Sequence, residues 1–169
     1  TGSPKGVMLS HRNLILTARN AATREGLRSD EEVLAYLPMA WVGDHIFSFS
    51  QSVLLGFTVN CPESAATVRH DLKEVGPTYF FAVPAIWENI LTTVMIRVED
   101  AAWIKRAMVH FFLRLAQQIE RQRLNRRPVP LWPRLLYPLG RLLVYGPLKD
   151  NLGVRRIRRA YTAGEAIGP

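Results

Sequence analysis

Residues 1–13 read TGSPKGVMLSHRN, and the meaning of every later segment depends on how this stretch is understood. Gly2 and Gly6 carry no Cβ, so backbone N–H groups beside them can approach an anion closely. Thr1 and Ser3 add hydroxyl donors, and Lys5 adds a point charge suited to phosphate. A loop of this composition fits a polyphosphate. It is not the common nucleotide loop G-x-x-x-x-G-K-[ST], because Lys5 precedes Gly6 and Val7 follows it. Taken alone, the stretch is better described as a glycine-rich surface turn with an ordinary lysine.

Working outward, SHRNLILTARNAATREGL predicts a helix with Ser10 as N-cap and Gly26 as its stop. Leu14, Ile15, Ala18, Ala21 and Ala22 fall on one face of it. EEVLAYLP, TVNCP and PTYFFAVP read as short strands. GDHIFSFSQSVLLGF reads as a helix, and so does SAATVRHDLKEVG, with Ser64 as its expected N-cap. A long helical tract is expected from about residue 85 to 124. In its second half Ile104, Met108, Phe111, Phe112, Leu115 and Ile119 form one apolar stripe. NRRPVPLWP breaks that tract, RLLYPLGRLLVYGPLKDNLG is interrupted helix, and VRRIRRAYTAG is a last strand and a glycine turn. Strands alternating with helices predict an α/β fold, a partial parallel sheet with flanking helices and a helical insertion at about 100–150.

The 169 residues suffice for one core, and a single domain is the expectation. Cys61 is the only cysteine, which excludes an intrachain disulfide and fits a reducing, cytoplasmic setting. No run of about 18 apolar residues occurs. The net charge of +8 is uneven: residues 1–100 hold 8 Lys/Arg against 11 Asp/Glu, whereas 101–160 hold 14 against 2. Such asymmetry suits either an anionic partner or a solvated basic face.

Residues 1–13 resemble the phosphate-loop motif of the AMP-forming adenylating enzymes, the family of acyl-CoA synthetases, luciferases and peptide-synthetase adenylation domains. That motif reads T-S-G-T-T-G-x-P-K-G-V, then S-H-x-N. Thr1, Gly2, Ser3, Pro4, Lys5, Gly6 and Val7 match its second half, and Ser10, His11 and Asn13 match the helix start. The chain is thus expected to begin inside a motif. YLPMAWVGDH is similar to the family's L-P-x-x-H strand end, with Trp41 where the family often has His. TAGEAIGP is similar to the S-G-G-A-P-L-S-P turn: Gly164, Ile167 and Pro169 match, while Ala163, Glu165 and Ala166 depart. These variants resemble the long-chain and very-long-chain, bubblegum-like branch.

The resemblance implies part of the large N-terminal domain of that fold, without its C-terminal lid. It implies a ligase that uses ATP, Mg²⁺ and coenzyme A to convert a fatty acid to acyl-AMP and then acyl-CoA. Thr1, Gly2, Ser3, Pro4, Lys5 and Gly6 would hold the ATP phosphates. Trp41, Val42 and Gly43 would line the acyl pocket, and Ala163, Gly164, Glu165 and Ala166 would border the adenine. The family's magnesium, ribose and lid residues would lie beyond Pro169, so the 169 residues alone are expected to be inactive. His11, His45, His70 and His110 show no metal spacing among themselves or with Cys61, and no metal site is expected.

The alternative reading is a basic helical module at residues 101–160 that contacts a partner or lies on an anionic bilayer. Its anchors would be Trp103, Phe111, Phe112 and Trp132, and Arg121, Arg123, Arg126 and Arg127 would supply charge. Burial of the same apolar face against the sheet is an equal alternative. Nothing in the sequence supports nucleic-acid binding, since it has no interleaved aromatic platform.

Overall fold

The computed structural model describes Ser3 and residues 6–164, which form two units. The first comprises the described residues up to Phe81 together with Arg156–Tyr161; the second comprises Ala82–Arg155 with residues 162–164.

In the first unit, helix α1 (His11–Glu25) has the expected ends. Ser10 Oγ accepts from Asn13 N at 3.2 Å, and Asn13 Oδ1 accepts from Ser10 N at 3.2 Å, a reciprocal capping box. Gly26 closes the helix at φ +59°, a conformation costly to any residue with a Cβ. Ala18 and Ala22 are buried, but Ile15 is half exposed, so the apolar face is narrower than its spacing implies. Strand β1 (Glu32–Leu34) pairs in parallel with β2 (Thr58–Asn60). Between them run α2 (Val42–Asp44), a π-helical segment (His45–Ser50) and α3 (Gln51–Leu55). Helix α4 (Val68–Val75) leads to β3 (Tyr79–Phe81), which pairs in parallel with β4 (Arg159–Tyr161). The expected parallel pairing is therefore present, as two two-stranded ladders. Ser64 is not the N-cap of α4. It opens a turn in which Thr67 Oγ1 accepts from Ser64 N at 3.0 Å, and the helix begins only after Thr67. The core gathers Ala22, Leu27, Val33, Phe57 and Tyr79, with Phe47, Leu55 and Tyr161 packed on it.

One buried carboxylate ties three strands together. Glu31, at the entry to β1, is 1 % exposed. It accepts from the Thr78 hydroxyl, and Arg158 Nη2 lies 2.8 Å from its Oε2. Thr78 also accepts from Glu32 N at 2.9 Å and donates its own N–H to Glu32 O at 2.9 Å, setting β1 beside β3. Arg158 N donates to Thr78 O at 2.7 Å just before β4. Arg156 pairs with Glu32 at 2.7 Å and Arg159 lies 3.8 Å from Glu25. Arg156, Arg158 and Arg159 are thus engaged inside the first unit, whereas most of the other cations of residues 101–160 are exposed, as a solvated basic face requires. Glu31→Ala should lower unfolding free energy by about 2–3 kcal/mol, below the full cost of a broken buried pair because Arg158 is partly exposed. Urea titration of E31A, R158A and the double variant measures it; additive losses would show that the two side chains do not act as a pair.

The second unit is helical. The long tract expected at 85–124 is two helices, α5 (Pro84–Glu99) and α6 (Trp103–Leu124). Ala102 leaves helical geometry at ψ 144°, and the break is braced by Glu99, whose carboxylate lies 2.9 Å from His110 Nε2 and 3.6 Å from Arg106 Nη1. Helix α7 (Leu131–Gly140) continues through a π-helical segment (Arg141–Tyr145) into α8 (Gly146–Leu152). Phe112, Leu115, Ile119, Val144 and Tyr145 form the core. The Tyr145 hydroxyl donates to the Phe112 carbonyl, and a Cβ at Gly140 would sit 2.6 Å from the Phe112 ring. Two stripe members, Ile104 and Phe111, remain exposed.

Candidate functional site

Thr1, Gly2, Pro4 and Lys5 lie outside the described residues. Ser3 and Gly6 are exposed, and a Cβ at Gly6 would meet nothing within 4 Å. Val7, Met8 and Leu9 are also exposed, Met8 at 97 %, so residues 6–9 run in the open until Ser10 caps α1. The S-H-x-N signature accordingly has a local cause: Ser10 and Asn13 cap the helix that follows the loop. His11 is exposed.

Trp41, Val42 and Gly43 come together at the start of the α2 run. Trp41 is half exposed and accepts at its carbonyl from Asp44 N at 3.1 Å. Gly43 packs under the Phe81 ring, where a Cβ would come within 2.8 Å of Cε1, so no other residue fits without moving the ring. The neighbouring crevice between Val33, Tyr36, Phe47, Tyr79 and Phe81 holds only about 10 Å³. That is room for about one water and not for an acyl chain. The three candidates do not line it; Trp41 and Val42 are exposed, and Gly43 is packed on Phe81.

The walls of that crevice are polar at chosen points. Tyr36 Oη donates to the Phe81 carbonyl at 2.8 Å, and Tyr79 Oη donates to Gln51 Oε1 at 2.8 Å. Burial raises the pKa of both phenols, so they stay neutral donors at physiological pH. Tyr161 is pushed up to about 12 by burial and by the Glu25 carboxylate. Gln51 and Asp44 are buried polar groups that sequence reasoning did not single out. Asp44 Oδ1 has no hydrogen-bond partner among the described residues. Their only sequence signal is a polar side chain inside an otherwise apolar helical run.

Ala163 and Gly164 follow β4 after one residue and are exposed. Gly164 sits at φ +104°, open to glycine and strained for other residues, in keeping with a glycine turn. Glu165 and Ala166 lie outside the described residues. His70, Asp71 and Glu74 approach one another on α4, but His70 and Glu74 are largely exposed and the three are spaced as ordinary surface charge pairs.

The chain belongs to the AMP-binding enzyme family, whose family model matches residues 1–169. Among curated proteins it is similar to long-chain-fatty-acid–CoA ligases of the bubblegum type. It is 27 % identical to ACSBG2 of Rattus norvegicus over 162 residues, covering 91 % of this chain and 24 % of the relative. It is 29 % identical to ACSBG2 of Gallus gallus over 175 residues, covering 99 % of this chain and 22 % of the relative. With ACSBG1 of Homo sapiens it shares 32 % identity over 116 residues, 64 % of this chain and 16 % of the relative. The chain therefore spans about a quarter or less of the length of the curated relatives it matches. No solved structure matches it.

Proposed function

We propose that the protein carrying this chain is an ATP-dependent long-chain fatty acid–CoA ligase. The observation that carries the reading is the match of the whole chain to AMP-binding enzymes, with relatives named as long-chain ligases. The fatty-acid carboxylate attacks the α-phosphate of Mg·ATP, the bond to pyrophosphate breaks, and acyl-AMP forms. The thiol of coenzyme A then attacks the acyl carbon and releases AMP. Thr1, Gly2, Ser3, Pro4, Lys5 and Gly6 hold the β- and γ-phosphates, where hydroxyls, glycine N–H groups and one ammonium meet the developing charge. Trp41 and Val42 border the acyl chain, and Gly43 lets the α2 start close onto Phe81. Ala163, Gly164, Glu165 and Ala166 border the adenine. Residues 1–6 include no carboxylate, so this loop would not itself hold the magnesium.

Pyrophosphate release from Mg·ATP, measured across palmitate, short aliphatic acids, benzoate and amino acids, tests the reading. Release dependent on long-chain acids is expected. Release with amino acids alone, or with none of these acids, overturns it.

A second reading, contact between residues 101–160 and an anionic membrane, is favoured by one observation: α7 exposes Leu131, Leu135 and Leu139 together with Trp132. Phe112 takes no part, being 5 % exposed in the helical core. Trp103 and Phe111 are exposed as that reading requires. Among the described residues no helix is long and apolar enough to cross a membrane, so such contact would be interfacial.

A further inference from the structure

The second unit contains a groove of about 540 Å³, lined among others by Tyr137, Arg141, Leu142, Tyr145, Lys149 and Arg155. Its size falls in the range of small-molecule sites. Its charges are unequal in an informative way. Arg155 Nη1 holds Asp150 Oδ2 at 2.7 Å, which neutralises the one acidic wall. Arg141 and Lys149 are exposed, and their side chains make no hydrogen bond or ion pair with any described residue. Two free cations therefore converge on a groove with no free anion, an arrangement that attracts a compact multivalent anion.

The lining also has an exposed apolar member, Leu142. Leu142 is 72 % exposed, and Leu139 and Leu135 are exposed at spacings of three and four along the same helical run. Residues at those spacings share one helix face. The π-segment Arg141–Tyr145 adds a residue to the turn and carries both Arg141 and Leu142. A ligand seated here meets Arg141, Lys149 and Leu142, and the leucine row continues from Leu142 along the same helical run. Nucleotide bases are a poor match, because the Tyr145 ring is buried and its hydroxyl is bound to Phe112. A lipid phosphate with its acyl chains is a good one.

We propose that this groove binds the phosphate headgroup of an anionic lipid, with Arg141 and Lys149 holding the phosphate and the leucine row meeting the acyl chains. The proposal rests on the membrane reading above and stands apart from the ligase activity.

Co-sedimentation of the whole protein with phosphatidylcholine vesicles, with and without phosphatidate, tests it. R141A/K149A is compared with R126A/R127A, which removes the same charge outside the groove. The groove variant should bind phosphatidate vesicles about tenfold more weakly than the charge-matched one, while fatty-acid activation and thermal melting stay unchanged. Equal losses in the two variants would reduce the groove to ordinary surface charge and overturn the proposal, leaving membrane contact standing. Failure of the unaltered protein to bind phosphatidate vesicles would remove both. Saturable binding of inorganic phosphate at Arg141 and Lys149 without vesicle binding would also overturn it, since the site would then be one for the free anion.

Discussion

Lys5→Ala is expected to slow pyrophosphate release from Mg·ATP by about 10²–10³-fold, with little change in the apparent affinity for the fatty acid. Charge builds on the phosphoryl oxygens as the carboxylate attacks and pyrophosphate departs. An ammonium aimed at those oxygens stabilises that state more than the ground state, so its loss falls mainly on kcat. The magnitude is that of removing one preorganised donor from other anionic transition states, about 2.7–4 kcal/mol. Arginine at position 5 is expected to restore only part of the rate, because a planar fork replaces a point charge. Ser10→Ala provides the contrast: it removes a helix cap, so it should lower stability by about 1 kcal/mol and leave the chemical step nearly intact. Steady-state kinetics with a pyrophosphate-coupled assay separates the two. An unchanged rate in K5A would take Lys5, and with it the loop, away from the ATP phosphates.

Phe80→Ala should cost more stability than either Glu31→Ala or Ser10→Ala, about 3–5 kcal/mol. Phe80 is the central residue of β3, 2 % exposed, and its ring stacks on Tyr36 with centroids 5.6 Å apart. Truncation removes a buried aromatic side chain and leaves a cavity that a short strand cannot close by shifting. Native domains are stable by about 5–15 kcal/mol, so the variant should sit close to its unfolding midpoint. Phe80→Leu keeps most of the volume and should cost below about 1.5 kcal/mol. Urea unfolding followed by far-UV circular dichroism measures both. Matching midpoints for the alanine variant and the unaltered protein would mean that β3 is not part of the cooperative core.

What was legible from residue order alone was local. Ser10, Asn13 and Gly26 mark the ends of α1 because a cap needs only partners three or four residues away. Aromatic and branched runs marked β1, β2, β3 and β4 because extended backbone suits those side chains wherever they pack. The phosphate-loop motif and the match to adenylating enzymes likewise rest on contiguous residues. The break at Ala102 was not legible, since the apolar spacing runs through it and the brace from Glu99 to His110 spans eleven residues. Thr67 displaced Ser64 at the start of α4 because a turn held by the Thr67 hydroxyl competed successfully for the cap.

Tertiary structure alone decided the rest. Glu31 meets Thr78 across 47 residues and Arg158 farther still, so an arginine cluster that looks like surface charge becomes a clamp between strands. The same folding left Arg141 and Lys149 unpaired at a groove while spending their neighbour Arg155 on an ion pair. Residue order thus determined the class of chemistry, because that rests on contiguous motifs. Which charges are free to meet a ligand depends on partners distant in sequence, and only the folded chain brings those within reach.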